Sequence, residues 1–337
     1  MFMKAHLLLI STVVLLLLFC TVSTATALAT ISKSPYSGAI TIDAATGKVL
    51  FENNADAKGY PASVTKLMVL LVILDAVESH HLNLNERVTV TAEASKIGGS
   101  QVYLKENEVF AVDDLLYALI VQSANDAATA LAIHYAGSKE AFVELMNKRA
   151  REIGMKDTVF HSVHGLPPGR KQLPDVSTPR DIAKLCQVLL KNRNALKYTS
   201  TKERPFRADS AEPFIMRNHN KLLKRIEGCD GFKTGYFRAA GYSIAATATK
   251  KDQRAIAVVF GAVDGKVRDR KAKEILTKGL MELVTNPPPP APAPASDTIQ
   301  IRKSTMKSIG AGIGGLMILG LVLFALKNRS RENGYMR

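Results

Sequence analysis

The sequence predicts an α+β domain whose two ends meet in one antiparallel sheet around a helical middle. Three observations predict it. Short β-rich runs lie at 38–43 (GAITID) and 48–52 (KVLFE), strand-like runs recur at 242–248 and 254–263 (RAIAVVFGAV), and helix-forming stretches fill the space between.

In order along the chain, Ala44-Ala45-Thr46-Gly47 joins the first two runs as a hairpin turn. From 64 to 77 almost every residue is apolar or helix-forming, which predicts a helix buried on most sides rather than an amphipathic one. Further helices are expected at 112–120, 124–135, 138–153 and 178–192, and a closing helix at 271–284 after the last strand.

The flanks differ in kind. Residues 1–29 read as a secretory signal peptide: Lys4 and His6 open it, an apolar run continues to Cys20, and Ala27-Leu28-Ala29 supplies a small-residue cleavage site. The apolar run falls short of the roughly 20 residues that span a bilayer. Residues 30–286 form the expected folded domain. At 287–308 a proline-rich linker follows, its alternating Pro and Ala favouring extended polyproline II. Residues 309–326 (IGAGIGGLMILGLVLFAL) carry no charge and read as a transmembrane helix, and the basic tail 327–337 favours a cytoplasmic C-terminus. The expected localisation is the plasma (inner) membrane, single-pass, with the domain on the extracytoplasmic or periplasmic side.

Composition narrows the partners. The chain has 337 residues, 47% of them hydrophobic, and a formal charge of +15. This is ample for a packed core, and wholesale disorder is excluded. In an exported protein the positive charge points to anionic lipid or an acidic polymer and away from nucleic acid. Cys20 would leave with the signal, so Cys186 and Cys229 remain, either as one disulfide or as two separate thiols. They lack metal-ligand spacing. No phosphate-binding glycine loop, zinc-type H-E-x-x-H or dinucleotide fingerprint occurs, and no cofactor or metal is expected.

Three motifs carry candidate chemistry: Ser63-Val64-Thr65-Lys66, Ser123-Ala124-Asn125 and Lys233-Thr234-Gly235. Three residues apart at a helix start, Ser63 and Lys66 share one face, which sets an amine beside a hydroxyl. A serine hydroxyl is a poor nucleophile until a base takes its proton. Lysine can be that base only if burial or a neighbouring cation depresses its pKa, and Lys233 is the candidate neighbour. The helix start also directs N–H groups at a developing oxyanion. Ser123 is read as a proton relay and Asn125 as a holder of the substrate amide and the Lys66 amine, with helix capping as the competing role for both. Lys233 and Thr234 offer donors to a carboxylate, and Gly235 permits close approach of a substrate backbone to a strand edge.

In this order S-x-x-K, S-x-N and K-T-G are the signature shared by penicillin-binding proteins and β-lactamases. Ile120-Val-Gln-Ser-Ala-Asn-Asp126, Val163-His-Gly-Leu166, Ser177-Thr-Pro-Arg-Asp-Ile-Ala183, Asn218-His-Asn-Lys-Leu-Leu223, Asp230-Gly-Phe-Lys-Thr-Gly235 and Ala240-Gly-Tyr242 extend the likeness. Residues 35–285 resemble the D-alanyl-D-alanine carboxypeptidases, the low-molecular-mass penicillin-binding proteins. The resemblance implies the β-lactamase/transpeptidase-like fold, an antiparallel sheet flanked by helices with a helical subdomain. It implies a Ser63 acyl-enzyme that removes the terminal D-alanine from peptidoglycan stem peptides and is inhibited covalently by β-lactams. The N–H groups of Ser63 and Tyr236 would form the oxyanion hole, and Arg268 would help to hold the substrate carboxylate.

Two departures stand out. His219 occupies a position where many relatives carry arginine, so any charge there is expected to vary with pH near neutrality. The linker follows Lys233 too closely for the all-β second domain many relatives carry, and a membrane span is expected in place of a surface helix. No E-x-x-L-N occurs between Ser123 and Lys233, which sets aside a class A β-lactamase and predicts slow release of β-lactam acyl groups. An endopeptidase cutting D,D-crosslinks and a non-catalytic wall-binding protein remain as alternatives.

Overall fold

Alternation of small and branched apolar residues decides where the sheet lies. The computed structural model describes residues 33–169 and 172–287. Five strands form its main antiparallel sheet: β1 (Gly38–Asp43), β2 (Val49–Asn53), β7 (Cys229–Phe237), β8 (Gly241–Lys250) and β9 (Gln253–Ala262), in the order β2-β1-β9-β8-β7. Along β9, Ala255, Ala257 and Val259 pack on one face, and Ile256, Val258 and Phe260 on the other. Side chains alternate across a strand, so a sheet with both faces covered needs apolar residues at every position, and β9 supplies them.

The expected meeting of the chain's ends is present. β1 pairs with β9 from Gly38 opposite Phe260 to Asp43 opposite Ala255. On one face lies the closing helix, which places Ala272, Ile275, Leu276, Leu280 and Leu283 against Ala39, Ile244, Ala246 and Val259. It spans Gly265–Thr285, longer than its sequence pattern suggested. The Asp264 side chain accepts from Val267 N at 2.7 Å and starts the helix six residues before its apolar stripe becomes evident.

The other face carries the helical subdomain. Its centre is α1 (Lys66–Glu78), where Lys66 through Leu74 and Ala76 are all buried, as the apolar run predicted. Around it stand α2 (Ala92–Ser95), α3 (Val112–Tyr117), α4 (Asn125–Ala136), α5 (Lys139–Glu152), α6 (Pro179–Leu189) and α7 (Ala195–Thr199), with the closing helix as α8. Thr178 and Ser138 cap α6 and α5 by accepting backbone N–H bonds. Two small hairpins, β3 (Arg87–Thr89) with β4 (Val109–Ala111) and β5 (Glu203–Phe206) with β6 (Phe214–Arg217), are too short for the alternation that reveals strands in a sequence.

One expected helix is altered, and two readings are sharpened. The helix expected at 112–120 tightens into α3 and then widens into a π turn at Ala118–Gln122. Lys233-Thr234-Gly235 precedes the expected 242–248 strand, which is β8, and itself lies within β7. Cys186 and Cys229 are separate free thiols. Burial pushes both thiols up, Cys229 to about 11, so both stay protonated. Among the described residues no helix is long and apolar enough to cross a membrane. The expected signal peptide, nearly all of the expected linker, the expected 309–326 span and the tail lie outside the described residues.

Leu70 is fully buried at the centre of α1. Leu70→Ala is expected to lower the unfolding free energy by about 2–5 kcal/mol, read from the urea midpoint.

Candidate active site

A 3-10 turn at Ala62–Thr65 leads directly into α1 and presents Ser63 half-buried, while Lys66 on the first turn of the helix is fully buried. The amine of Lys66 contacts three oxygens: Ser63 Oγ at 3.2 Å, Asn125 Oδ1 at 2.7 Å and the carbonyl of His164 at 2.8 Å. Burial, and then the positive charge of Lys233, hold the Lys66 pKa well below its ordinary value. A neutral amine has two N–H bonds and one lone pair. Asn125 Oδ1 and the His164 carbonyl can only accept, so they take both N–H bonds and leave the lone pair facing the Ser63 hydroxyl. The amide of Asn125 has no freedom to flip, because Asn125 Nδ2 donates to the carbonyl of Gly98 at 2.7 Å.

Ser123 sits where the π turn breaks, at φ 62° and ψ 32°, a left-handed conformation unusual for a serine and costing about 1 kcal/mol. The break carries Ser123 off the helix path beside Asn125, the first residue of α4. Neither side chain caps that helix: its N-cap is Ala124, without a side-chain bond. The capping role weighed from the sequence is therefore absent. Ser123 is buried, and among the described residues its hydroxyl has no hydrogen-bond partner within the protein.

Strand β7 forms the opposite wall. Lys233 is buried, donates to the carbonyl of Thr234 at 3.0 Å, and is lowered to about 7 by burial and then by the charge of Arg268. Thr234 is also buried. Gly235 passes so close to the serine turn that an added Cβ would stand 2.4 Å from the Pro61 carbonyl oxygen and 3.1 Å from the Ser63 nitrogen. A side chain there would push the strand off Ser63.

Comparison with known proteins agrees with this geometry. The D-alanyl-D-alanine carboxypeptidase family model matches residues 23–264. The chain belongs to that family. A D-alanyl-D-alanine carboxypeptidase of Bacillus subtilis is 36% identical over 249 residues, covering 74% of this chain and 63% of that one. One from Escherichia coli is 36% identical over 286 residues, covering 82% of this chain and 69% of its own length. This chain thus spans less than two thirds of the Bacillus relative. Penicillin-binding protein D2 of Listeria monocytogenes, solved in an ampicillin-bound form, superposes with a TM-score of 0.65 at 28% identity, covering 73% of this chain and 97% of that one.

Within this family frame the remaining residues fall into place around the same cleft. Tyr236 follows Gly235 on β7; the residue is 53% exposed and its ring stacks on Tyr242 at 4.1 Å. Arg268, on the first turn of α8, is buried and held by Asp269 through two bonds of 2.9 and 2.7 Å. His219 is corrected. Burial, and then the positive charge of neighbouring basic groups, Lys233 first, hold its pKa below the ordinary imidazole value, so the ring is neutral at neutral pH. The cationic surroundings that a relative's arginine would join instead keep this position uncharged.

Sequence reasoning missed the brace behind Ser63. Asp175, buried, accepts from Thr65 Oγ1 at 2.9 Å, from the backbone of His161 and Ser162 at 2.7 and 2.8 Å, and from Ser162 Oγ at 2.9 Å. It ties the middle of the serine motif to the loop whose His164 carbonyl meets Lys66. Gly165 completes that loop at φ 73°, where a Cβ would fall 1.9 Å from the Ala62 carbonyl oxygen. The quoted Val163-His164-Gly165-Leu166 stretch was the available signal, but a backbone acceptor leaves no residue-type signature.

A buried lysine held near pKa 7 costs stability. Below about pH 7 the folded chain must keep a buried ammonium; as pH rises toward the unfolded value of 10.5 the unfolded chain binds the extra proton and stability recovers. Lys233→Met is expected to stabilise the fold, and by about 2–3 kcal/mol more at pH 6 than at pH 9, measured by denaturant unfolding at both values.

Proposed function

We propose that this chain is a serine D-alanyl-D-alanine carboxypeptidase that trims peptidoglycan stem peptides and is acylated by β-lactams. The observation that carries the reading is the buried Lys66 amine, 3.2 Å from Ser63 Oγ and held by Asn125 Oδ1 and the His164 carbonyl. Ser63 Oγ attacks the carbonyl of the penultimate D-alanine as Lys66 takes its proton. The resulting oxyanion is met by the N–H groups of Ser63 and Tyr236. Ser123 relays a proton to the departing amine, the C–N bond breaks, and D-alanine leaves. Water then attacks the Ser63 ester through the same groups and releases the shortened peptide. Asn125 positions the peptide amide, and Lys233, Thr234 and Arg268 face the terminal carboxylate, with Gly235 giving that end room to lie along β7.

The wider placement belongs to the same proposal. A signal at 1–29 would export the chain. The 287–308 spacer and the 309–326 helix would hold the domain outside the plasma membrane, with residues 327–337 inside. Apolar length and flanking charge support this arrangement.

Two measurements test the activity. Mass spectrometry after incubation with benzylpenicillin is expected to show one slowly released covalent adduct, absent in Ser63→Ala; no adduct, or one that survives the substitution, would favour a non-catalytic wall-binding protein. With a pentapeptide and a D,D-crosslinked dimer as competing substrates, faster release of free D-alanine is expected, and faster cleavage of the dimer would make the enzyme an endopeptidase.

A further inference from the structure

Two cavities of about 240 and 550 Å3 lie on either side of the turn that follows β6, and Arg225 lines both. The first is bordered by Lys202, Arg217, Lys221 and Lys224, with Glu203 its only acid. Lys250, Lys251 and Lys273 border the second, with Glu227 its only acid. The groove so formed brings together residues from β5, β6, the 221–228 turn, the β8–β9 hairpin and α8, which no local charge run in the sequence reveals.

Its cations are largely uncommitted. Glu203 is shared between Lys224 at 3.0 Å and Arg217 at 4.0 Å, and Arg225 has one partner, Asp269, at 3.7 Å. Among the described residues, Lys202, Lys221, Lys251 and Lys273 are exposed and make no ion pair. So many like charges on one concave strip repel one another and destabilise the fold slightly, a cost an anionic ligand removes.

We propose that this groove binds a linear polyanion, a wall polymer with phosphodiester charges repeating along a polyol chain. Three features favour it. A concave strip shared by two cavities suits an extended chain, whereas a flat bilayer reaches only its rims. Single ammonium groups dominate over guanidinium forks, which suits monodentate phosphodiester oxygens better than paired carboxylates. The groove also adjoins the catalytic cleft: Arg217 leads into Asn218-His219-Asn220, and Asn220 Nδ2 donates to the Gly231 carbonyl at 3.0 Å, two residues before Lys233. A polymer lying there holds the cleft beside the wall to which it is attached. The choice of a wall polymer rests on the proposed function, whereas the existence of a polyanion groove does not.

The test uses the full chain in non-ionic detergent with fluorescently labelled poly(glycerol phosphate), followed by anisotropy at two salt concentrations. Wild type is expected to bind with an affinity that falls as salt rises. Lys221→Gln/Lys251→Gln/Lys273→Gln is expected to bind at least about tenfold more weakly, and the matching Lys→Arg triple variant to retain binding. Labelling of Ser63 by a fluorescent penicillin, expected to be equal in all three, reads the active site independently of the groove. Absent binding, salt-insensitive binding, unchanged affinity in the glutamine variant, or displacement by phosphatidylglycerol micelles at equal phosphate would each overturn the proposal.

Discussion

The structure depends on keeping one amine dry. Lys66 is fully buried, and its pKa is depressed because no solvent reaches it and Lys233 adds a second positive charge to the same cleft. Much of what surrounds it follows from that requirement. Asn125 and the His164 carbonyl satisfy the N–H bonds a buried neutral amine must place somewhere. The apolar α1 excludes water from below, and β7 closes the side. A more exposed Lys66 would be an ordinary ammonium, and Ser63 an ordinary hydroxyl.

Holding such a group means fixing backbone that would otherwise relax. Asp175 anchors both the serine turn and the 161–166 loop with four hydrogen bonds, and its own carboxyl is pushed up by burial. Ser123 keeps a left-handed conformation, and Gly165 and Gly235 stand where any side chain would strike the turn carrying Ser63. These features oppose local stability and serve geometry, the pattern expected where a site is held against its intrinsic preferences. The surrounding core, continuous from β9 through α1, supplies the rigidity.

Legibility in the sequence tracked the physics of each element. Strands with regular alternation and the uniformly apolar α1 were readable, since burial acts on every residue of them. Side chains that do chemistry were readable through their spacing: Ser63 and Lys66 through one helical turn, Lys233 through its motif. Elements fixed by a single contact, local or tertiary, were not. The π turn before Ser123 has no composition of its own, the early start of α8 rests on Asp264 alone, and Asp175 looks like any loop aspartate until Thr65 is seen beside it. His219 was misjudged for a related reason: its titration depends on burial, and then on basic side chains that are distant in sequence and close in space.

The pairing of β1 with β9 sets the order in which the domain can be assembled. Gly38 opposes Phe260, and β9 is the central strand of the sheet, so the sheet cannot close until nearly the whole domain is available. Ser63 and Lys66 arrive early from a synthesising or translocating chain, yet Asn125, His164 and Lys233 arrive one after another behind them. Contacts of such long sequence separation form slowly. A chain halted or cut before β9 therefore displays the serine motif without a dry amine beside it, and the cleft around Lys66 is complete only once the last strand sits in the middle of the sheet.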